Sequence, residues 1–160
     1  MAKFKYKLQN VLDIKYRMED QAKAVFASAQ ARLDEEEAKR DHLINRRLEY
    51  EKKGRELREE ILNLADMRDN DRAIENIKEQ IKEQEKHVET ARKAVEQARI
   101  RLTDAMQERK IHEKLKENSF EEFKHEVNAA ESKEVDELVS YTYGERIKAN
   151  NQVKDNIQDG

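Results

Sequence analysis

The residue types that most often carry catalysis or bind metals are few in this chain, and their spacing suits neither role. His112-Glu113 begins like the zinc-binding His-Glu-x-x-His motif, but Lys116 stands in the place of the second histidine. Glu122 and His125 form one Glu-x-x-His step, whereas a di-iron helical bundle needs two such steps and two further glutamates. We therefore predict no metal site and expect the histidines on exposed helix faces.

Nucleophiles and phosphate-binding loops are missing as well. The sequence contains no cysteine, and none of its serines lies in a Gly-x-Ser-x-Gly elbow. Its three glycines are too far apart to form a loop whose backbone N–H groups wrap a phosphate. We expect no catalytic residue, no cofactor and no enzyme activity.

The composition indicates long helices instead of a globular core. Charged residues make up 43% of the chain and hydrophobic residues 36%, and proline and tryptophan are absent. So few large apolar side chains can line a seam along a helix but cannot fill a compact domain, so an elongated molecule is expected. The 33 lysines and arginines nearly balance the 36 aspartates and glutamates, which argues against a nucleic-acid partner.

The sequence also bears on the compartment. No apolar stretch approaches the ~20 residues that a membrane span requires, and the first residues do not lead into the apolar core of a signal peptide. The absence of cysteine is compatible with a reducing environment. We expect a cytoplasmic protein with no direct insertion into a membrane.

Two heptad patterns predict the helices. The second pattern is the clearer, with Ile74, Ile81, Val88, Val95 and Leu102 on one set of seam positions and Ile77, Gln84, Ala91, Ala98 and Ala105 on the other. The first pattern is more polar and runs through Ala22, Phe26, Ala29, Leu33, Glu36, Arg40, Leu43, Arg47, Tyr50, Gly54, Leu57, Ile61 and Leu64. Each pattern requires a partner helix. Toward the start of the chain, a stripe through Phe4, Leu8, Val11, Met18, Ala22 and Val25 lies in a slightly different phase, which predicts a seam that drifts around the helix.

A bend is predicted between the two patterns, because the spacing breaks there and aspartate and asparagine offer helix N-caps. The predicted fold is all-α, a long two-helix antiparallel coiled-coil hairpin over residues 1–143. Its helices are expected at about 3–65 and 73–143, with the bend at about 66–72. A flexible C-terminal tail is expected over 144–160.

Charge supports antiparallel pairing of the ends. Residues 1–17 hold five basic side chains and one acidic, and residues 113–138 hold nine acidic and four basic. Folding about residue 69 places these segments together, with Leu57 opposite Ile81 and Leu43 near Val95. Each exposed ion pair adds only ~0.2–1 kcal/mol.

A two-helix seam leaves some large apolar side chains without cover. They fall on more than one helix face and are Leu8, Leu12, Ile14, Leu48, Tyr50, Leu62, Ile111, Leu115, Phe120, Phe123, Tyr141 and Tyr143. We predict two clusters that meet other proteins, one at the paired ends and one around residues 43–50.

The two ends of the chain also carry recognisable strings. The chain opens with Phe4-x-Tyr6-x-Leu8-Gln9-x-Val11-Leu12-Asp13-Ile14-Lys15. Its far end holds Glu113-Lys114-Leu115-Lys116-Glu117, then Phe123, then Ala130-Glu131-x-Lys133-Glu134-x-Asp136-Glu137-Leu138. Together they resemble the opening and closing segments of the bacterial flagellar export protein FliJ family, over about residues 1–143.

The resemblance implies a coiled coil, similar to the stalk of the rotary ATP synthase gamma subunit, that inserts its paired ends into the flagellar type III export ATPase ring. Members also contact the cytoplasmic domain of the membrane export gate and bind flagellar export chaperones. This implies a non-catalytic stalk, ATPase regulator and general chaperone, with a role in flagellum biogenesis and chemotaxis. It would lie in the cytoplasm, peripherally associated with the inner face of the cell membrane at the flagellar base.

The resemblance also implies two contact surfaces. The residues facing the ATPase ring would be Phe4, Tyr6, Leu8, Leu12, Lys15, Leu115, Phe123, Lys133 and Leu138. The residues facing the export gate would be Leu43, Arg46, Tyr50 and Ile77.

One alternative stays open, a parallel homodimeric coiled-coil scaffold or adaptor with no ATPase partner. A hairpin supplies its own partner helix and is expected to be a monomer when isolated, whereas a single unpaired helix needs a second copy. The mass in solution distinguishes the two.

Overall fold

The computed structural model describes residues 2–60 and 63–158, and these form two long helices and no strand. Helix α1 is Gln9–Glu59, of 51 residues, and helix α2 is Leu64–Gln158, of 95 residues. The helices pack against each other in antiparallel directions. The prediction of an all-α, two-helix antiparallel hairpin is confirmed.

Asn63 sets the start of α2. Its Oδ1 atom accepts hydrogen bonds from the backbone N–H groups of Ala65, at 3.1 Å, and Asp66, at 3.3 Å. An asparagine cap with an acidic side chain in the first turn is a strong helix start. The predicted bend at 66–72 therefore differs from the structure, in which these residues are helical, and the helices instead end and begin between Glu59 and Leu64.

The shorter connection shifts the pairing of the helices. Phe4 contacts Phe120, Glu36 contacts Gln84, and Gly54 lies beside Asn70, so the pairs are centred on about residue 62 and not 69. Relative to the predicted pairing, each residue meets a partner about two heptads away. The predicted opposition of Leu57 and Ile81 accordingly differs from the structure, where Leu57 lines a cavity with Asp66, Asp69, Asn70 and Ala73.

The chain divides into two compact units, which we describe separately. The central unit is Asp13–Lys110, and the terminal unit combines residues 1–12 with residues 111–160. In the central unit Leu33, Val88 and Ala91 form a buried cluster, against which Val95 packs. Large side chains meeting alanine at this seam allow close packing of the helices.

On each helix the covered residues follow one uninterrupted heptad spacing. On α1 they include Leu12, Lys15, Glu19, Ala22, Phe26, Ala29, Leu33 and Glu36. Met18 and Val25 are about half exposed, at 49% and 51%, so the predicted phase drift ahead of Ala22 is wrong. The reason is that the polar residues Lys15 and Glu19 take seam positions and find partners there.

The segment predicted as a flexible tail is helical as far as Gln158. Every side chain from 128 to 158 is exposed, and only Gly144 is partly covered. Since no proline interrupts the segment and a glycine costs a helix only about 1 kcal/mol, α2 continues through it. Residues 159 and 160 of that prediction lie outside the described residues, as do Ile61 and Leu62.

Gly54→Ala tests how closely Asn70 packs in the seam of the central unit. In an open helix this change stabilises by about 0.5–1 kcal/mol, but here the new β-carbon would lie 2.6 Å from Asn70 Nδ2. We expect urea unfolding to show a lower free energy of unfolding for Gly54→Ala, and the ordinary gain to return when Asn70→Ala is added.

Gly144→Ala is the matched control, because a β-carbon at residue 144 meets nothing within 4 Å. It should increase the helicity measured by circular dichroism. A stabilisation by Gly54→Ala of the size expected for an open helix would contradict the packing of Asn70.

Candidate protein-interaction surfaces

In the terminal unit Phe4 packs against two rings of α2. Its ring centre lies 5.2 Å from that of Phe120 and 5.4 Å from that of Phe123, within the range of favourable aromatic pairs. Nearby, Lys116 Nζ donates a hydrogen bond of 2.7 Å to Gln9 Oε1. These contacts hold the segment before α1 and the first turn of α1 against α2.

The same end presents apolar side chains to solvent. Tyr6, Leu8 and Phe123 line one open cavity of about 590 Å³. Leu8 is 47% exposed and Leu115 is 44% exposed. Leu12 differs, since it is 2% exposed and lies in the seam. Of the residues predicted to face the ring, Leu12 therefore has almost no surface to offer a partner.

The remaining residues of the ring-facing set lie apart from this cluster. Lys133 and Leu138 are exposed on α2, ten and fifteen residues beyond Phe123. Lys15 belongs to the central unit, where its Nζ atom lies 3.2 Å from a carboxylate oxygen of Glu108. The predicted set is thus divided between a compact aromatic group, an exposed helix segment and a lysine with its own partner.

The residues predicted to face the gate lie in the central unit, but not all at its surface. Arg46 is exposed, and Leu43 and Tyr50 are half-buried on the same helix. Ile77 is only 2% exposed and lies in the seam, which leaves it almost no surface for an external contact. Ile44 and Leu48 were not in the predicted set, yet they are 36% and 55% exposed beside Leu43.

The central unit contains a buried ion pair that the pattern of apolar residues in the sequence does not indicate. The Arg109 Nε atom donates to Glu19 Oε2, and the Glu19 carboxylate also lies 3.4 Å from Lys23 Nζ. The hydrogen bond from Arg109 is the main cause that lowers the pKa of Glu19. Only the opposite charges of residues 19 and 109 at facing seam positions hint at this pair.

A second polar pair crosses the same seam. Gln84 Nε2 donates to Glu36 Oε2 at 2.6 Å and to the Glu36 backbone oxygen at 2.9 Å. This hydrogen bond, with the charges of Lys39 and Arg32, lowers the pKa of the nearly buried Glu36 carboxyl. The carboxylates of Glu19 and Glu36 are therefore held by contacts within the seam.

A shallow groove of about 350 Å³ runs along the central unit. Its apolar lining comes from Met18, Ala22, Val25 and Ala105, and its rim carries Lys15, Arg101, Asp104 and Glu108. The half-exposed Met18 and Val25 lie beside the seam because the heptad phase does not drift, so the prediction that they lie in the seam is wrong.

Residues 2–60 and 63–158 contain neither a metal-binding cluster nor a membrane-spanning helix. No group of three or more His, Cys, Asp or Glu side chains there is placed to hold a metal ion. In the same residues no helix combines the length and the apolar character needed to cross a membrane.

The comparisons with known proteins agree with this geometry. A two-helix antiparallel coiled coil whose surfaces offer apolar and charged contacts belongs to the class of helical interaction proteins. The family described as flagellar FliJ protein matches residues 4–148. The chain therefore belongs to the FliJ family, whose members are non-catalytic components of the flagellar type III export apparatus.

One solved structure gives a likeness in fold. It is a protein from Chlamydia trachomatis described as a homologue of YscO, 24% identical, with a TM-score of 0.58. The match covers 88% of this chain and 96% of that one. No individual curated protein matches the chain.

Glu36→Gln tests the buried carboxylate. Because folding lowers the pKa of Glu36, its contribution to stability is present above the unfolded pKa of about 4.3 and is lost as the pH falls through the folded pKa. A glutamine does not titrate, so we expect the free energy of unfolding of the variant to fall less between pH 5 and pH 3 than that of the wild type.

Urea unfolding at several pH values measures this difference, and Glu49→Gln, on the exposed side of α1, is the matched control. A pH dependence of Glu36→Gln parallel to that of the wild type would mean that residue 36 is not held as a carboxylate in the seam.

Proposed function

We propose that this FliJ-family protein acts as the non-catalytic central stalk of the flagellar export ATPase. In this proposal the terminal unit enters the ATPase ring, and residues of the central unit contact the cytoplasmic domain of the export gate. The protein also binds export chaperones that deliver substrates. Its place is the cytoplasmic side of the cell membrane at the flagellar base, held there by protein contacts.

The observation that carries the proposal is the joining of the two ends of the chain in one unit. Phe4 lies against Phe120 and Phe123, so the segment before α1 and the second half of α2 present one surface. Paired ends favour such an insertion, because a helix draws most of its stability from packing against a partner. Exposed leucines beside the aromatic group offer the apolar anchors that interfaces use.

The burial of individual residues refines the proposed ring contact. We assign the contact to Phe4, Tyr6, Leu8, Leu115 and Phe123, with Lys133 and Leu138 farther along α2. Leu12 has a structural role in this assignment, since at 2% exposure it packs in the seam. Lys15 takes part only if it gives up its contact with Glu108.

The proposed gate contact is refined in the same way. Arg46 and the exposed Leu48 form its accessible part, with Leu43 and Tyr50 contributing the half of their surface that is not covered. Ile77 supports this surface from the seam and does not itself touch the gate. Arginine and aromatic residues are common among the strongest contacts of protein interfaces, which supports Arg46 and Tyr50.

The ring assignment is tested with Leu8→Ala and Leu115→Ala. Both leucines are nearly half exposed, so the variants should keep their helicity while the stimulation of the export ATPase and its ring assembly weaken. The loss of an interface contact worth about 1 kcal/mol corresponds to about fivefold weaker binding.

The measurement is ATP hydrolysis and assembly of the same organism's export ATPase, titrated with each variant. Ile100→Ala is the matched control, because Ile100 is 47% exposed in the central unit. Full stimulation by both leucine variants would remove the terminal unit from the ring contact. No effect of the wild-type protein on the ATPase would favour the scaffold alternative.

The gate assignment is tested with Arg46→Glu. We expect it to leave helicity unchanged and to weaken binding of the isolated cytoplasmic gate domain severalfold, because a cation at an interface centre is replaced by an anion. Arg55→Glu is the control, since Arg55 is also exposed and lies nine residues on, on the opposite face of α1. Equal binding of the two variants in calorimetry would discard the assignment.

A further inference from the structure

The second half of α2 extends beyond the residues that pack against it. Phe123 packs against Phe4 of the segment before α1, Val127 is partly covered, and all side chains over residues 128–158 are exposed. A helix of this kind draws little stability from its own hydrogen bonds, so an apolar face along it needs a cover. The family match ends at residue 148, inside this segment.

An apolar stripe runs along this uncovered segment. At 100° per residue its members fall within half of the helix circumference, and they are Val135, Leu138, Val139, Tyr143, Ile147, Val153 and Ile157. Each is between 43% and 73% exposed. Glu137, Lys148 and Asp155 lie on the opposite face. The segment is therefore amphipathic, with its apolar side facing solvent in the single chain.

We propose that this stripe, over residues 135–157, binds the same stripe of a second copy of the chain in the antiparallel direction. Four of its seven members pair with one another when two copies run oppositely about residue 146. Val135 of one copy then lies opposite Ile157 of the other, and Val139 lies opposite Val153. Packing of this kind needs no further partner and covers the exposed valines and isoleucines.

Charge selects the antiparallel over the parallel direction. Asp136 and Lys154 lie on the same edge of the stripe, 18 residues apart, and antiparallel pairing brings Asp136 of one copy to Lys154 of the other. Parallel pairing would set Asp136 near Glu131 and Glu134 on the opposite edge, with charges of the same sign.

Arg146 lies in the middle of the stripe and fits the same arrangement. With the pairing centred there, the two copies of Arg146 face each other, so each guanidinium group must turn to Glu145 of the other copy while its aliphatic stem covers the apolar side chains. The expectation of a monomer rests on the hairpin, which supplies a partner for its own seam. That expectation did not include a second stripe on α2, beyond the reach of α1.

The first test is the mass in solution by light scattering, over a hundredfold range of protein concentration. We expect a dimer at the upper end, because the interface spans only about three heptads and should dissociate on dilution. Tyr143→Asp should abolish the dimer. Tyr141→Asp is the matched control, because Tyr141 is 68% exposed against 66% for Tyr143 but lies off the stripe.

The second test uses the absence of cysteine in the chain. Arg146→Cys should form a disulfide-linked dimer under mild oxidation, because antiparallel pairing brings the two copies of residue 146 together. Val135→Cys should not, since the two cysteines would lie about 33 Å apart, far beyond the reach of a disulfide. The double variant Val135→Cys with Ile157→Cys should cross-link again.

A monomer at every concentration would overturn the proposal, and so would a dimer that both tyrosine variants leave intact or both abolish. Efficient cross-linking of Val135→Cys alone would show parallel pairing and overturn the antiparallel arrangement. Because no ATPase or gate protein is present, these results do not depend on the proposed stalk function.

Discussion

The structure depends on two helices that keep one heptad phase against each other. On α1 the covered positions follow the alternating spacing of three and four residues from Leu12 to Leu57, and on α2 from Asn70 to Phe123. Such a spacing keeps one face of each helix toward its partner without a change in side. Since hydrophobic residues are scarce, Lys15, Glu19 and Glu36 share the seam with leucine, valine and alanine.

The polar residues in the seam fix the register, that is, which heptad of α1 packs against which heptad of α2. An apolar seam tolerates a shift by whole heptads, because each shift again places apolar side chains together. The pairs of Glu19 with Arg109, of Glu36 with Gln84 and of Gly54 with Asn70 do not tolerate it. A shifted Glu36 would lose the hydrogen bond from Gln84 and keep only Arg32 and Lys39 of its own helix, and losing a hydrogen bond to a nearly buried carboxylate is costly.

This division explains what the sequence predicted and what it did not. Periodicity gave the fold class and most of the seam from Ala22 onward, because burial on a helix face is a local property of the pattern. The predicted pairing lies two heptads away from that of the structure, because the predicted bend at 66–72 lies beyond the cap at Asn63 that starts α2. Asn63 with an acidic residue three positions later was the available signal.

The interaction residues were harder to predict for a related reason. Leu12 and Ile77 are as apolar as the exposed Leu8 and Leu48, and only the exact phase separates seam from surface. Around Met18, the residues Lys15 and Glu19 are polar and yet covered, so hydrophobicity alone assigned the wrong face. Opposite charges that face each other, such as residues 19 and 109, indicate the correct heptad phase of α1, because a buried charge needs a partner.

The unequal lengths of the two helices leave part of α2 without a partner helix. Helix α1 has 51 residues and α2 has 95. The pairing that the cap at Asn63 sets therefore stops where α1 runs out of residues, well before the end of α2. Had the bend lain near residue 69, α1 would have gained about seven residues and α2 would have lost as many, leaving a much shorter uncovered segment. The position of one helix cap therefore determines how much of α2 remains open to other proteins, and with it the length of the stripe from Val135 to Ile157.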